Sequence, residues 1–189
     1  MGSKFSSPLF SLSRYLPDHY VSERLSKPGM NRACEITLVV LNGKQFQADR
    51  NVLSQASPFF KKLLSSDMKE GNEGVIRLQT ITDSQMADVL QFIYNGSVQI
   101  RSKETAEKLI ETADFLLLSD LKTIAGKFLE QHITTETCIS MNYLAEQYSC
   151  VGLGASTRKF INSNFTTVSS SKEFLNLPSS EVEKMDFKR

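Results

Sequence analysis

The sequence predicts an α+β protein: a small β-sheet flanked by helices, followed by an all-helical extension. Three observations carry this. A β-rich run, Glu35 to Leu41, leads through Asn42-Gly43 into a second short strand. From Val52 onward, apolar residues recur at three- and four-residue steps. Residues 134–189 then hold only helix-type patterns and helix caps.

Residues 1–33 form a mixed lead in which Leu12, Tyr15, Leu16, Tyr20 and Leu25 stand among Ser and Pro. Pro17 prevents a long helix there and leaves a short amphipathic one from Asp18 to Leu25. The strand at Glu35 to Leu41 ends at Asn42-Gly43, a dipeptide suited to the two positive φ angles of a tight hairpin turn. The return strand, Lys44 to Ala48, places Phe46 and Ala48 on one face.

The period then changes. Val52, Leu53, Ala56, Phe59, Phe60, Leu63 and Leu64 describe two helices divided at Ser57-Pro58, with Pro in the first turn of the second. Residues 65–74 read as a polar loop, and Val75 to Leu78 as a short strand. Met86, Val89, Leu90 and Ile93 face inward on the next helix, and Ala106, Leu109, Ile110, Ala113, Leu116 and Leu117 form the cleanest helical stripe. Ser119 caps a helix with Leu121, Ile124, Ala125, Phe128 and Leu129 inward. Further helices follow: one capped near Thr134 with Cys138, Met141, Ala145 and Tyr148 inward, one from Leu153 to Phe165, and others capped by Ser171 and Ser179.

A length of 189 residues suits one ordinary domain or two small ones, and 40% hydrophobic content supplies a proper core. The 22 Lys and Arg against 21 Asp and Glu leave no basic excess to neutralise a row of phosphates, so nucleic acid is not expected as a partner. By region the basic and acidic counts are five and two in residues 1–33, eleven and thirteen in 34–133, and six and six in 134–189. Cys34, Cys138, Cys150, His19 and His132 are too scattered for a zinc ribbon or a disulfide framework; the cysteines read as buried thiols in a reducing compartment.

No run approaches the roughly 18–20 apolar residues of a membrane span. The N-terminus lacks the charged-then-apolar pattern of a secretory signal, so the sequons at Asn95 and Asn164 read as chance. Met1-Gly2-Ser3-Lys4-Phe5-Ser6 fits a pattern for acylation of Gly2 but has no second membrane signal beside it, and reads as a flexible start.

Catalysis is not expected. Neither His19 nor His132 stands in a Ser or Cys constellation, and His132 reads as a partly buried histidine at a helix end. Gly152-Leu153-Gly154 has neither a third glycine nor a preceding strand and reads as a helix connection. Lys69 and Gly71 occupy the ligand positions that a calcium loop at Asp67 to Glu73 would need.

Longer motifs take the reading further: Cys34-Glu35-Ile36-Thr37-Leu38-Val39-Val40, the run from Phe46 through Asp49-Arg50 to Phe60, Phe92-Ile93-Tyr94-Asn95-Gly96, Ala113 to Leu121, and Phe128-Leu129-Glu130. In this order they resemble a BTB/POZ domain of the kelch-like type over 34–133, and residues 134–185 are similar to the first part of the BACK domain. The resemblance implies a lead at 1–33 with a short dimerisation helix, a BTB/POZ domain at 34–133, and truncated BACK, or three-box, helices at 134–189. It further implies a non-catalytic, cofactor-free substrate adaptor of a cullin-3 RING ubiquitin ligase. Such an adaptor pairs with itself or with related BTB proteins, works in the cytoplasm and also the nucleus, and recognises its substrate through domains absent from this chain. The alternative is a BTB dimerisation scaffold for corepressor or cytoskeletal partners without ubiquitin chemistry.

Site residues come from the same resemblance. Met68-Lys69-Glu70 matches the hydrophobic-x-Glu triplet that meets the cullin, and Tyr94 resembles a second cullin-facing position. Glu35, Asp49 and Arg50 fall at the charged cluster of the dimer interface, where family members usually carry Asp in place of Glu35 and His in place of Asp49. The family's longer first helix is interrupted here by Pro17, Pro28 and Gly29. Helices over 134–165 correspond to the groove for an N-terminal cullin segment, with Cys138, Met141, Ala145 and Tyr148 as core.

Overall fold

The computed structural model describes residues 10–11, 35–65 and 68–178; the expected lead helix, Gly2, His19, Cys34, Ser179 and the side chain of Glu35 lie outside them. Two compact units divide between Lys122 and Thr123. In the first, strand β2 (Glu35–Val40) is central. Ile36, Leu38 and Val40 are at most 2% exposed, and Thr37 and Val39 alternate with them on the other face. Strand β3 (Gln45–Asp49) pairs with β2 antiparallel from Glu35↔Asp49 to Val39↔Gln45, and β4 (Val75–Leu78) pairs parallel from Thr37↔Val75 to Val40↔Leu78. The sheet order is β3-β2-β4, and a separate two-stranded sheet joins β1 (Phe10–Ser11) to β5 (Ser97–Val98).

The hairpin turn differs from expectation. Only Gly43 has positive φ, at 77°, and its N–H donates to Val40 O at 2.8 Å while Val40 N–H donates to Lys44 O at 3.0 Å. Leu41, Asn42 and Gly43 therefore form a three-residue loop with a left-handed glycine last, and Asn42 instead accepts from Lys44 N–H at 3.1 Å.

Helices α1 (Arg50–Ala56) and α2 (Pro58–Leu63) meet at Ser57. Pro58 holds Ser57 extended, which ends α1, and Ser57 Oγ then accepts from Phe60 N–H at 3.2 Å as the cap of α2. The polar segment expected as a loop contains a short helix, α3 (Lys69–Glu73), which ends at Gly74 with φ 68°. Its apolar content is too low for a periodicity signal, yet the glycine stop and the Lys69–Glu73 ion pair at 3.4 Å suit one turn of helix.

Helix α4 (Asp83–Asn95) starts with a reciprocal Thr82–Gln85 capping box and stops at left-handed Gly96. It buries Phe92 besides Met86, Val89 and Ile93, whereas Leu90 is only half-buried. Helix α5 (Lys103–Phe115) buries Ala106, Leu109, Ile110 and Ala113. The expected stripe runs one residue too far. Leu117 lies beyond the helix end at φ 54° and is 55% exposed. Its N–H and that of Leu118 turn back to Asp114 O at 3.1 Å and Ala113 O at 2.7 Å, the hydrogen bonds of a helix stop that usually carries glycine.

Helix α6 (Ser119–Glu130) begins at Ser119 itself, not after it, and the division between units falls within it. The second unit holds α7 (Cys138–Gln147), α8 (Val151–Ser163), α9 (Phe165–Val168) and α10 (Lys172–Leu175). Gly152-Leu153-Gly154 lies inside α8, in place of the expected connection. An added Cβ would stand 2.9 Å from Glu130 Oε1, the movable end of a side chain, at Gly152, and in ordinary contact, 3.6 Å from Ala145 Cβ, at Gly154. Cys138, Ile139, Ile161 and Val168 form one core cluster, covered by Ile133, Tyr143, Phe160, Phe174 and Leu177. Met141 and Ala145 are buried as expected, while Tyr148 is only half-buried beyond the helix end. Ser171 caps α10 as expected, accepting from Phe174 N–H at 3.2 Å.

Two buried polar residues fix the α7–α8 register. Thr157, 0% exposed, places Oγ1 3.0 Å from Asn142 Oδ1, and Asn142 Nδ2 donates to Glu146 Oε1 at 2.9 Å. Thr157→Val keeps the shape and leaves Asn142 Oδ1 without that donor, so urea denaturation should show a loss of about 1–3 kcal/mol. Leu117→Gly should act in the opposite direction. Removing the Cβ from a left-handed helix stop is expected to raise unfolding free energy by about 0.5–1 kcal/mol in the same assay.

Candidate functional site

The candidate site grows from the crossover between β3 and β4. Asp49 ends β3 and caps α1, its Oδ1 accepting from Asn51 N–H at 2.7 Å and Val52 N–H at 3.0 Å. Its own N–H donates to Tyr94 Oη at 2.8 Å, across from the last turn of α4. The next residue, Arg50, donates from Nη1 to Leu64 O at 3.0 Å, the carbonyl at the end of α2. A cation there satisfies an orphan carbonyl at the negative end of the helix.

From Leu64 the chain reaches Met68, whose N–H closes back onto Ser65 O at 3.1 Å. Met68 stands in front of α3, half-buried and extended at φ −105° and ψ 141°, and Lys69 and Glu70 form the first turn. Lys69 is exposed and Glu70 half-buried. The far end of α3 is tied down: Gly74 N–H donates to Glu70 O at 3.1 Å, and Gly74 O accepts from Thr37 N–H of β2 at 2.9 Å. A short polar segment is thus held at both ends with Met68 partly open to solvent.

The structure joins residues that the sequence assigned to different tasks. Tyr94, expected to face a cullin, is bonded to Asp49, expected at a dimer interface, and Arg50 is bonded to the backbone leading to Met68. Glu35 faces Asp49 across the β2–β3 ladder. Burial pushes the Tyr94 phenol above its ordinary range; the Asp49 N–H opposes this, and the Asp49 carboxylate adds to it.

Sequence reasoning passed over the exposed apolar residues at the end of α5. Phe115 is 47% exposed, and its ring lies 5.2 Å from that of Phe59 on α2. With Leu117 it forms an apolar edge next to the Ser57 elbow, where Ser57 Oγ donates to Leu116 O at 2.6 Å. The signal lay in Ser119-Asp120, which begins a new helix and so places Leu117 outside the old one.

Other candidate groups have local roles. His132 is exposed, not partly buried, because it lies past the end of α6; it stacks on Phe128 at 4.3 Å with Nδ1 2.7 Å from Phe128 O. Cys138 and Cys150 are buried, and burial, with Glu173 nearby, raises the Cys138 thiol. Among the described residues no group of three or more His, Cys, Asp and Glu could hold a metal, and no helix is long and apolar enough to cross a membrane. An open cavity of about 430 Å³ in the first unit includes Gln85, Asp88, Arg101 and Lys108 in its lining. Burial raises the Asp88 carboxyl and Arg101 opposes the rise.

The Tyr94 environment gives a pH dependence. Because the folded phenol ionises at higher pH than the unfolded one, its contribution to stability is complete below about pH 10 and is lost as pH rises through the folded value. The stability difference between the parent and Tyr94→Phe, followed by urea denaturation from neutral to alkaline pH, should therefore shrink only above about pH 10.

Comparison with known proteins agrees with this architecture. Residues 24–133 match the family model for the BTB/POZ domain, and residues 138–185 match that for BTB And C-terminal Kelch. Kelch-like protein 21 of Homo sapiens is 33% identical over 127 residues, covering 67% of this chain and 21% of that protein. Gigaxonin of Homo sapiens is 32% identical over 149 residues, covering 78% of this chain and 25% of that protein. A solved structure of the BTB (Tramtrack and Bric a brac) domain of human gigaxonin aligns at 26% identity and TM-score 0.49, covering 60% of this chain and 92% of that chain. The chain spans about a fifth to a quarter of these curated relatives. With both family models matched in order along one chain, the protein belongs to the BTB-BACK-kelch family.

Proposed function

We propose that this chain is the cullin-holding module of a substrate adaptor for a cullin-3 RING ubiquitin ligase. It acts as a homodimer through its BTB domain, and the BACK helices after residue 133 extend the cullin contact. The observation that carries the reading is Met68-Lys69-Glu70 at the head of α3, tethered at Leu64 and at Gly74. Family membership supports the class of partner. Met68 offers an adaptable apolar anchor, and Glu70 offers a carboxylate beside it.

Phe115 and Leu117 add apolar area of the kind a partner buries. Leu117 holds a left-handed backbone that glycine would adopt more cheaply, and its side chain is 55% exposed and open to such a contact. The chemistry of ubiquitin transfer belongs to other subunits in this reading, and substrate choice belongs to sequence outside these residues. The site of action is the cytoplasm and the nucleus.

The test is a calorimetric titration of the full chain with the N-terminal domain of cullin-3. Met68→Ala combined with Glu70→Ala should weaken binding by about tenfold or more. Unchanged affinity would move the contact away from α3, and no detectable binding by the parent chain would reject the adaptor reading. Leu117→Gly should also bind more weakly despite its higher stability.

A further inference from the structure

We propose that the open cavity lined by α4 and α5 is a docking site for an arginine side chain presented by a protein partner, held by Asp88 of α4 and Glu104 of α5. The inference is independent of the cullin reading, since it uses no residue of α3.

The walls are fixed without a ligand. Gln85 Oε1 accepts from Thr82 N–H at 2.9 Å and from Thr82 Oγ1 at 2.7 Å, and Gln85 Nε2 donates to Thr112 Oγ1 at 2.8 Å. Thr112 Oγ1 in turn donates to Lys108 O at 2.7 Å, so the first turn of α4 is tied to the middle of α5. Gln85 and Thr112 use their polar groups on each other, and the charged side chains are left to meet a ligand.

Asp88 is the group left over. It is half-buried in the cavity wall, and among the described residues its carboxylate has neither a hydrogen bond nor an ion pair. Arg101 acts on it only from beyond ion-pair distance, and Arg101 Nη2 donates instead to Gln99 Oε1 at 3.4 Å. A carboxylate drawn out of water without a donor calls for one. Lys108 and Glu111, also in the lining, pair with each other at 3.1 Å and cancel in charge. Ser102 and the Glu104 N–H hydrogen-bond the Glu104 carboxylate and hold it below the usual carboxylate range, so it stays ionised. Two carboxylates, Asp88 and Glu104, thus stand against one cation, Arg101, and the excess is negative.

That excess selects a cation and disfavours an acidic ligand, which would add a third carboxylate. A guanidinium suits the site better than an ammonium, because its planar fork of N–H donors can serve carboxylates on two elements at once. A volume of about 430 Å³ accommodates a long side chain.

The test is an NMR titration of the isotope-labelled full chain with the blocked peptide acetyl-Gly-Arg-Gly-amide. Saturable amide shifts are expected at Asp88, Arg101 and Glu104 in the millimolar range, while the citrulline peptide, of the same shape without the charge, should leave these amides in place. Asp88→Asn should weaken binding about tenfold or more, and Arg101→Gln, which removes the competing cation, should strengthen it about threefold. Burial raises the Asp88 carboxyl and Arg101 opposes the rise, so binding should fade with falling pH sooner than an ordinary aspartate would allow, and Asp88→Asn should remove that part of the pH dependence. No shift with the arginine peptide would overturn the site, as would equal shifts with the citrulline peptide or parent affinity in Asp88→Asn.

Discussion

Ser57 has no exposure to solvent, and four hydrogen bonds meet at it. Its N–H donates to Leu53 O and ends α1, its Oγ accepts Phe60 N–H and starts α2, and its carbonyl takes Lys61 N–H at 2.9 Å. The same Oγ donates to Leu116 O at 2.6 Å, beyond the end of α5. One small hydroxyl therefore satisfies backbone groups from two distant helices where no water reaches. A buried carbonyl left unpaired there would cost about 1–3 kcal/mol. The elbow fixes where Phe59 meets Phe115, where α2 ends at Leu64, and hence where Arg50 can bind.

Local rules made much of this architecture readable. A β-rich run ahead of Asn42-Gly43 identified β2, the change of period at Val52 identified the helical pair, and Ser57-Pro58 marked the break. Errors arose where a local rule had two solutions. Asn42-Gly43 fits a two-residue turn, but the register sets Val40 opposite Lys44 and leaves three residues in the loop, so only Gly43 needs positive φ. Leu117 continues an apolar stripe although the backbone has already reversed. Helix α3 has too few apolar residues to show a period and depends on its flanking tethers. The site was legible only through a family resemblance, because its main constraints are long-range and involve backbone atoms. Nothing in the identity of Leu64 announces that its carbonyl will hold Arg50, fourteen residues earlier, or in Tyr94 that it will accept an N–H across forty-five.

The second unit is organised differently. Glycines at 152 and 154 lie where α8 passes Glu130 and Ala145: an added Cβ would meet the movable carboxylate end of Glu130 at the first and ordinary van der Waals contact with Ala145 at the second. The Thr157–Asn142 pair then favours one register among those that apolar packing permits, since a shifted register would take from buried Asn142 Oδ1 its donor on the other helix. Thr137 gives α7 no side-chain cap, and Glu173 on α10 takes that part by accepting Ser140 N–H at 3.1 Å. A short distal helix thus completes the hydrogen bonding of an earlier one.

The parallel pairing of β2 with β4 has a consequence for the order in which the chain acquires structure. The β2–β3 hairpin closes over a three-residue loop, whereas β4 reaches β2 only after the chain has passed through α1, α2 and α3. Loop closure over that longer span is entropically slower, so the hairpin is favoured as the earlier event. Thr37 N–H can meet Gly74 O only when β4 is seated. The face that carries Met68 is therefore completed late, and a chain emerging during synthesis would not have α3 fixed at both ends until its central sheet had closed.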